Sequence, residues 1–175
     1  MVSRNALIYL SRQEGLKDFA TRFRPFKRLT TRFVAGEDIE EAIAAIREIN
    51  AKNCTASFDH LNESVGSPAE TEEEVREYLR ILARIDETGI RSNVSIKLTQ
   101  FGLDIDPELA YQNAHMVVSR AARAGNFVRI DMEGSSTTDA TINVFKRLRA
   151  EFGVNDVGIV LQAYSSGPSV MSMIC

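Results

Sequence analysis

Two short runs place charged side chains where a strand would end. In Asn126-Phe127-Val128-Arg129-Ile130-Asp131-Met132-Glu133, Val128, Ile130 and Met132 repeat at strand period and share one face, while Arg129, Asp131 and Glu133 share the other. Earlier in the chain Val94, Ile96 and Leu98 alternate with Ser95 and Lys97 in the same manner. Side by side, the two strands present Lys97 and Asp131 at matching ends. Taken from the residues alone, the simplest reading of this pair is an ion pair in the interior of the fold. The sharpest chemical reading is a Schiff-base lysine beside an aspartate, as in an aldolase-like barrel. Asp59 and His60 with Asp131 and Glu133 can also be drawn as a metal cluster, but their spacing is not a ligand motif and no metal is expected.

The elements that must position these residues alternate. Residues Arg4 to Phe26 carry apolar positions at helical spacing, and after Gly36 a helix capped by Asp38 shows the stripe Ile39, Ala42, Ile43, Ile46 and Ile49. A first strand runs from Cys54 to Asp59, with Ala56 and Phe58 opposed to Thr55, Ser57 and Asp59. Thr71-Glu72-Glu73-Glu74 reads as a capping box before the face Val75, Tyr78, Leu79 and Leu82, and Gly89 ends that helix. Strand two is Asn93 to Leu98, and Asp106-Pro107-Glu108 opens a helix that Gly125 closes. A third strand, Phe127 to Asp131, leads to a helix from Thr138-Asp139 bearing Ile142, Phe145 and Leu148, closed near Gly153. Val157 to Ala163 is the fourth strand.

Strands recur about every 35 to 40 residues with helices between them, the rhythm of βαβ units and a parallel sheet. No GxGxxG or GxxxxGK[ST] follows any strand, which argues against dinucleotide-binding and P-loop folds. The expectation is α/β: an incomplete (βα)8 TIM-type barrel, about its first four βα units, preceded by N-terminal helices. Thr55, Ser57, Asp59, Lys97, Arg129, Asp131 and Gln162 fall on its inward face, where such barrels place their chemistry. Residues 1–53 are assigned to the leading helices, 54–164 to the partial barrel and 165–175 to a divergent tail. Four strands cannot close a ring, so the outer strands are expected to be open to self-association.

The 175 residues are 44% hydrophobic and 26% charged, with net charge -3, which suits a globular protein and argues against nucleic-acid binding. Arg22, Arg24, Lys27, Arg28 and Arg32 form a basic cluster, read as a solvated helix surface with membrane contact as the alternative. No apolar run approaches about 18 residues and no secretory signal opens the chain, so a cytoplasmic location is expected, with a peripheral place on the inner membrane as the alternative. Cys54 and Cys175 have no CxxC spacing; Cys54 is read as a buried, inert thiol of the first strand. His115, in mid-helix, is read as structural.

Across Asn93–Asp104, Asn126–Glu133 and Val157–Tyr164 the chain resembles the monofunctional bacterial proline dehydrogenases. The likeness runs from Arg4 to Tyr164 and takes in Ser57-Phe58-Asp59-His60. It implies a distorted (βα)8 barrel holding FAD, oxidation of L-proline to Δ1-pyrroline-5-carboxylate, and electrons passed on to quinone. By the same resemblance Lys97 partners the proline carboxylate, Asp131 is an active-site residue beside the substrate, and Met132 and Gln162 contact FAD. Three departures stand out. Gly134 replaces a usual acidic residue, Asn62 replaces a usual glycine, and the run from Ser165 to Cys175 matches nothing in the family. The last predicts a product truncated or frameshifted after Tyr164, lacking the arginine that grips FAD and the late helix of paired arginines. A noncatalytic fragment of the enzyme is the alternative.

Overall fold

A computed structural model describes residues 35–36, 38–62 and 65–161. The leading helices expected over Arg4 to Phe26, the basic cluster, Gln162 and the tail lie outside the described residues. The chain divides into two compact units, residues 1–48 and 49–175. Helix α1 (Ile39–Ala51) begins in the first. There the Asp38 carboxylate accepts the Glu41 amide at 2.9 Å, a helix cap, and Ile39, Ala42, Ile43 and Ile46 are buried along one stripe.

The second unit continues as β1 (Ala56–Asp59), α2 (Pro68–Thr88), β2 (Ser92–Ile96), α3 (Pro107–Arg123), β3 (Val128–Ile130), α4 (Thr138–Phe152) and β4 (Val157–Ile159). All strand pairs are parallel, and the sheet order is β1-β2-β3-β4. Each strand lies beside its successor without the order reversal that marks a doubly wound sheet. The described strands therefore form an incomplete βα barrel, as the repeat predicts. Among the described residues, no strand covers the outer edge of β1 or β4.

The core lies between the sheet and its helices. Val94, Ile96, Leu98, Val128, Ile130 and Val157 of the strands and Ile81, Val117, Val118, Ala121 and Leu148 of the helices are fully buried. Each fully buried aliphatic side chain is stabilised by about 1.5–3 kcal/mol relative to exposure, which is what docks the helices.

Two expectations are corrected here. Helix α2 begins a turn before Thr71, because Ser67 caps it and Pro68 occupies its first turn. Thr71 is buried inside the helix, its hydroxyl donating to the Pro68 carbonyl at 2.7 Å. Cys54 is neither in a strand nor buried: its amide still donates to the Ile49 carbonyl at 3.3 Å, as part of the turn that ends α1, and its thiol is exposed. The strands are also shorter than the alternating runs that encode them. Gly89 ends α2 as expected, with φ of 63° and its amide on the Ile85 carbonyl.

Outside the sheet, α3 and α4 are stapled by polar contacts. Arg147 donates to Glu108 at 2.7 and 3.1 Å and stacks 3.6 Å over the Tyr111 ring. Glu151 takes both the Tyr111 hydroxyl and the His115 ring, at 3.1 and 2.8 Å. His115 thus joins two helices.

Candidate active site

Strand alternation that buries the apolar side chains turns Ser57 and Asp59, Ser95 and Lys97, Arg129 and Asp131, and Gly158 toward the other face. The register fixes their rows: Asp59 lies opposite Ser95, Ser95 opposite Arg129, and Arg129 opposite Gly158. Ile96 pairs with Ile130, and the Asp131 amide donates to the Ile96 carbonyl at 2.9 Å. One residue further along, Lys97 and Asp131 stand at neighbouring strand ends.

They do not pair with each other, which corrects the interior ion pair read from the sequence. Lys97 Nζ donates to both oxygens of Asp59, at 2.7 and 2.6 Å. Asp131 instead accepts Arg129 Nε at 2.9 Å, from its own strand. The reason is reach. Asp59 is the diagonal neighbour of Lys97, within range of a four-carbon stem, while Arg129 and Asp131 are successive residues on one strand face. Buried Ser95 completes the arrangement, its hydroxyl oxygen accepting Arg129 Nε and Nη2 at 3.2 and 3.1 Å. Side-chain exposures of 31% for Asp59, 28% for Lys97, 22% for Asp131 and 39% for Arg129 leave all four within reach of a ligand while each is held. The strand ends present anion, cation, anion and cation in a compact group.

The third charge of the Arg129-Asp131-Glu133 face does something else. Glu133 accepts the Thr99 amide at 3.1 Å and the Thr99 hydroxyl at 2.5 Å, tying the loop after β3 to the loop after β2. The carbonyl of Gly134 then accepts the Thr137 amide and both the Thr137 and Thr138 hydroxyls, which starts α4 without a side-chain cap.

A second polar group lies behind β1, and little in the sequence announces it. The Tyr78 hydroxyl, fully buried, donates to the Ser95 carbonyl at 2.8 Å and accepts the His60 amide at 3.3 Å. Burial pushes this hydroxyl far above the ordinary tyrosine range. Glu74, also buried, receives the His60 ring at 3.1 Å and the Asn62 amide. Gln100 donates to the carbonyls of His60 and Asn62 at 3.1 and 3.3 Å. The available signal was the spacing Thr71, Glu74, Val75, Tyr78, which sets a carboxylate on the apolar face of α2.

The metal grouping drawn from the sequence does not assemble, since His60 is engaged by Glu74 and Glu133 by Thr99. Among the described residues no three His, Cys, Asp or Glu side chains are placed to hold an ion. Met132 follows the other parity: its side chain is buried against Ile142, with Ile159 and Leu161 packed on that cluster.

A family model described as proline dehydrogenase matches residues 42–169. Over 139 residues the chain is 36% identical to a proline dehydrogenase of Deinococcus radiodurans, covering 78% of this chain and 45% of that protein. Proline dehydrogenase 2 of Bacillus subtilis is 31% identical over 164 residues, covering 94% of this chain and 53% of the relative. Proline dehydrogenase 1 of the same organism is 33% identical over 162 residues, covering 92% and 52%. The chain spans about half the length of the curated relatives it matches.

Proposed function

We propose that this chain, which belongs to the proline dehydrogenase family, takes part in the FAD-dependent oxidation of L-proline to Δ1-pyrroline-5-carboxylate, with a quinone as the onward electron acceptor. The observation that carries the reading is the placement of Lys97 and Asp131 at adjacent strand ends, each oriented by a partner other than the other. Proline at neutral pH is a zwitterion, so its site needs one fixed cation and one fixed anion close together. Lys97 has three N–H donors, of which Asp59 takes two. The third is assigned to the substrate carboxylate. Asp131, held by Arg129, faces the substrate's ammonium group and keeps its nitrogen and neighbouring carbon oriented.

FAD, when bound, would supply the acceptor for the hydride that leaves the carbon beside that nitrogen, once the nitrogen has released a proton to solvent. The residues present suit a flavin ring. Arg129 lies half-exposed on the inner face, and its neighbour across the register is Gly158, where an added Cβ would stand 2.6 Å from the Phe127 ring. The Phe127 ring thus fills the place of the missing side chain, and an aromatic ring beside a guanidinium suits a planar, carbonyl-bearing ring. Gln162, outside the described residues, and Met132 are assigned to the same cofactor. Since the Met132 side chain is turned into the core, its contact is assigned to its backbone.

The Schiff-base alternative requires a lysine amine free to attack a carbonyl. Here Nζ is engaged as a donor by both oxygens of one carboxylate, which favours the binding role. Peripheral membrane contact through the basic cluster of residues 22–32, close to a membrane quinone, and self-association through the edges of β1 and β4 that no described strand covers complete the proposal. No helix among the described residues is long and apolar enough to cross a membrane.

The test is the visible spectrum of the purified full chain with FAD and then L-proline. Flavin bands that stay with the protein and bleach on adding proline, with bleaching lost in Lys97→Met, are the expected result. Protein that never retains the bands, or a Lys97→Met variant that bleaches as wild type does, overturns the reading.

A further inference from the structure

The carboxylate that holds Lys97 is itself held by a loop whose anchoring points to one buried residue. Asp59 is the last residue of β1, and a carboxylate at a strand end is free to turn unless the chain after it is fixed. His60 and Asn62 follow, and each is gripped at two places. Their side chains go to the two oxygens of Glu74, the His60 ring at 3.1 Å, and their carbonyls both accept from Gln100. Glu74 exposes only 2% of its side chain and Gln100 2%, so the grip comes from the rigid side of the fold. Tyr78, one turn beyond Glu74 on α2, holds the His60 amide.

We propose that Glu74, with Asn62, is a latch that fixes the loop after β1 and thereby positions Asp59 and the Lys97 ammonium. Glu74 touches no substrate in this scheme; it acts through His60, Asn62 and Asp59. The latch stands on geometry alone, and only the purpose of the positioning, presenting Lys97 to the proline carboxylate, rests on the proposed function. A glutamine at residue 74 can serve the same purpose. Its oxygen accepts the Asn62 amide and its nitrogen donates to His60 Nδ1 in the other ring tautomer. An alanine can do neither.

The readout is the rate at which an amine-acetylating reagent modifies Lys97 in the full chain, mapped by mass spectrometry. The exposed Lys52 and Lys146 serve as internal standards. Asp59→Asn and Glu74→Ala are expected to raise the Lys97 rate relative to the standards by about tenfold, the factor that one lost hydrogen bond to a charged group is worth. Asn62→Ala, in an exposed part of the loop, is expected to raise it by a smaller factor. Glu74→Gln is expected to stay within about twofold of wild type because both latch bonds can re-form. A ratio that rises in Asp59→Asn but not in Glu74→Ala or Asn62→Ala overturns the latch. A ratio that does not rise even in Asp59→Asn overturns it as well, since Asp59 would then position nothing. If circular dichroism shows Glu74→Ala unfolded, Asn62→Ala and Glu74→Gln decide. Protection of Lys97 by L-proline in wild-type protein is a separate arm: expected latch variants without proline protection leave the latch standing and remove the proposed substrate.

Discussion

Tyr78→Phe deletes one oxygen atom from the place where β1 and β2 part. The Tyr78 hydroxyl stands between the two strands, taking the His60 amide at 3.3 Å and giving to the Ser95 carbonyl at 2.8 Å, with no exposure of the side chain. The ring stays, so its tilted contact with Phe101, centroids 5.4 Å apart, is kept and no cavity of a methyl group's size opens. What remains is the cost of two backbone groups without a partner, one buried and one part-buried, about 1–3 kcal/mol each when fully buried and unpaired. The longer bond is the weaker one, so a loss of about 2–3 kcal/mol is expected. For a chain of this size that corresponds to a fall in Tm of roughly 4–12 °C. Urea unfolding followed by far-ultraviolet circular dichroism measures it, with Tyr111→Phe as the control. Tyr111 gives its hydroxyl to the exposed Glu151, and its loss is expected to cost about 0.5 kcal/mol or less. A Tyr78→Phe variant within about 0.5 kcal/mol of wild type, or no worse than the control, refutes the bridging role. The titration gives a second check. Because the folded-state value of Tyr78 is raised, its contribution is whole below the ordinary value of 10.0 and is lost as pH rises beyond it. The alkaline limb of wild-type stability should therefore be steeper than that of Tyr78→Phe.

The staple between α3 and α4 predicts an acid limb. The hydrogen bond from Arg147 lowers Glu108, and that from His115 lowers Glu151, both below the ordinary 4.5. Lowered folded values mean that this stabilisation is present above that pH and lost as pH falls through them, so a Glu108→Gln, Glu151→Gln variant should be weaker than wild type at neutral pH and converge with it in acid. Urea midpoints at neutral and acid pH measure it, and parallel pH profiles refute it. On the inner face, Gly158→Ala places a Cβ 2.6 Å from the Phe127 ring and should cost about 1–3 kcal/mol by overpacking. Adding Phe127→Leu should recover most of the loss in a double-mutant cycle, and additive losses refute the contact.

The fold was legible because burial and period agreed along most of the chain. Val94, Ile96, Leu98, Val128 and Ile130 alternate in the sequence and are fully buried in the structure, so strand parity could be read directly. Asp106-Pro107 and Gly89 marked helix ends because each acts locally, Asp106 through its carboxylate on the Glu108 amide and Pro107 and Gly89 through their own backbones. Thr71-Glu72-Glu73-Glu74 misled because an equally good cap, Ser67 with Pro68, lay one turn upstream, and local patterns do not rank competing caps. The pairing of charges was illegible for a different reason. Strand parity assigns Asp59, Lys97, Arg129 and Asp131 to one face but leaves their partners to side-chain reach across the register. Asn62 stands out as a departure from the family pattern, yet its partner Glu74 reads in the sequence as the closing residue of the Thr71 capping box.

The distribution of partners at the strand ends bears on what the site can bind. Had Lys97 and Asp131 closed on each other, a zwitterion would have had to break that pair before meeting either charge, losing much of what it gained. With Asp59 paired to Lys97 and Arg129 to Asp131, both charges are already compensated while all four side chains stay partly exposed. Ser95 anchors Arg129, Tyr78 anchors the backbone of Ser95, and Glu74 anchors the loop that carries Asp59. Orientation therefore descends from α2 to the strand ends through hydrogen bonds that the ligand does not have to displace. For the proposed substrate, such an arrangement would reduce the ordering that binding must bring about, because the charged groups are held in advance.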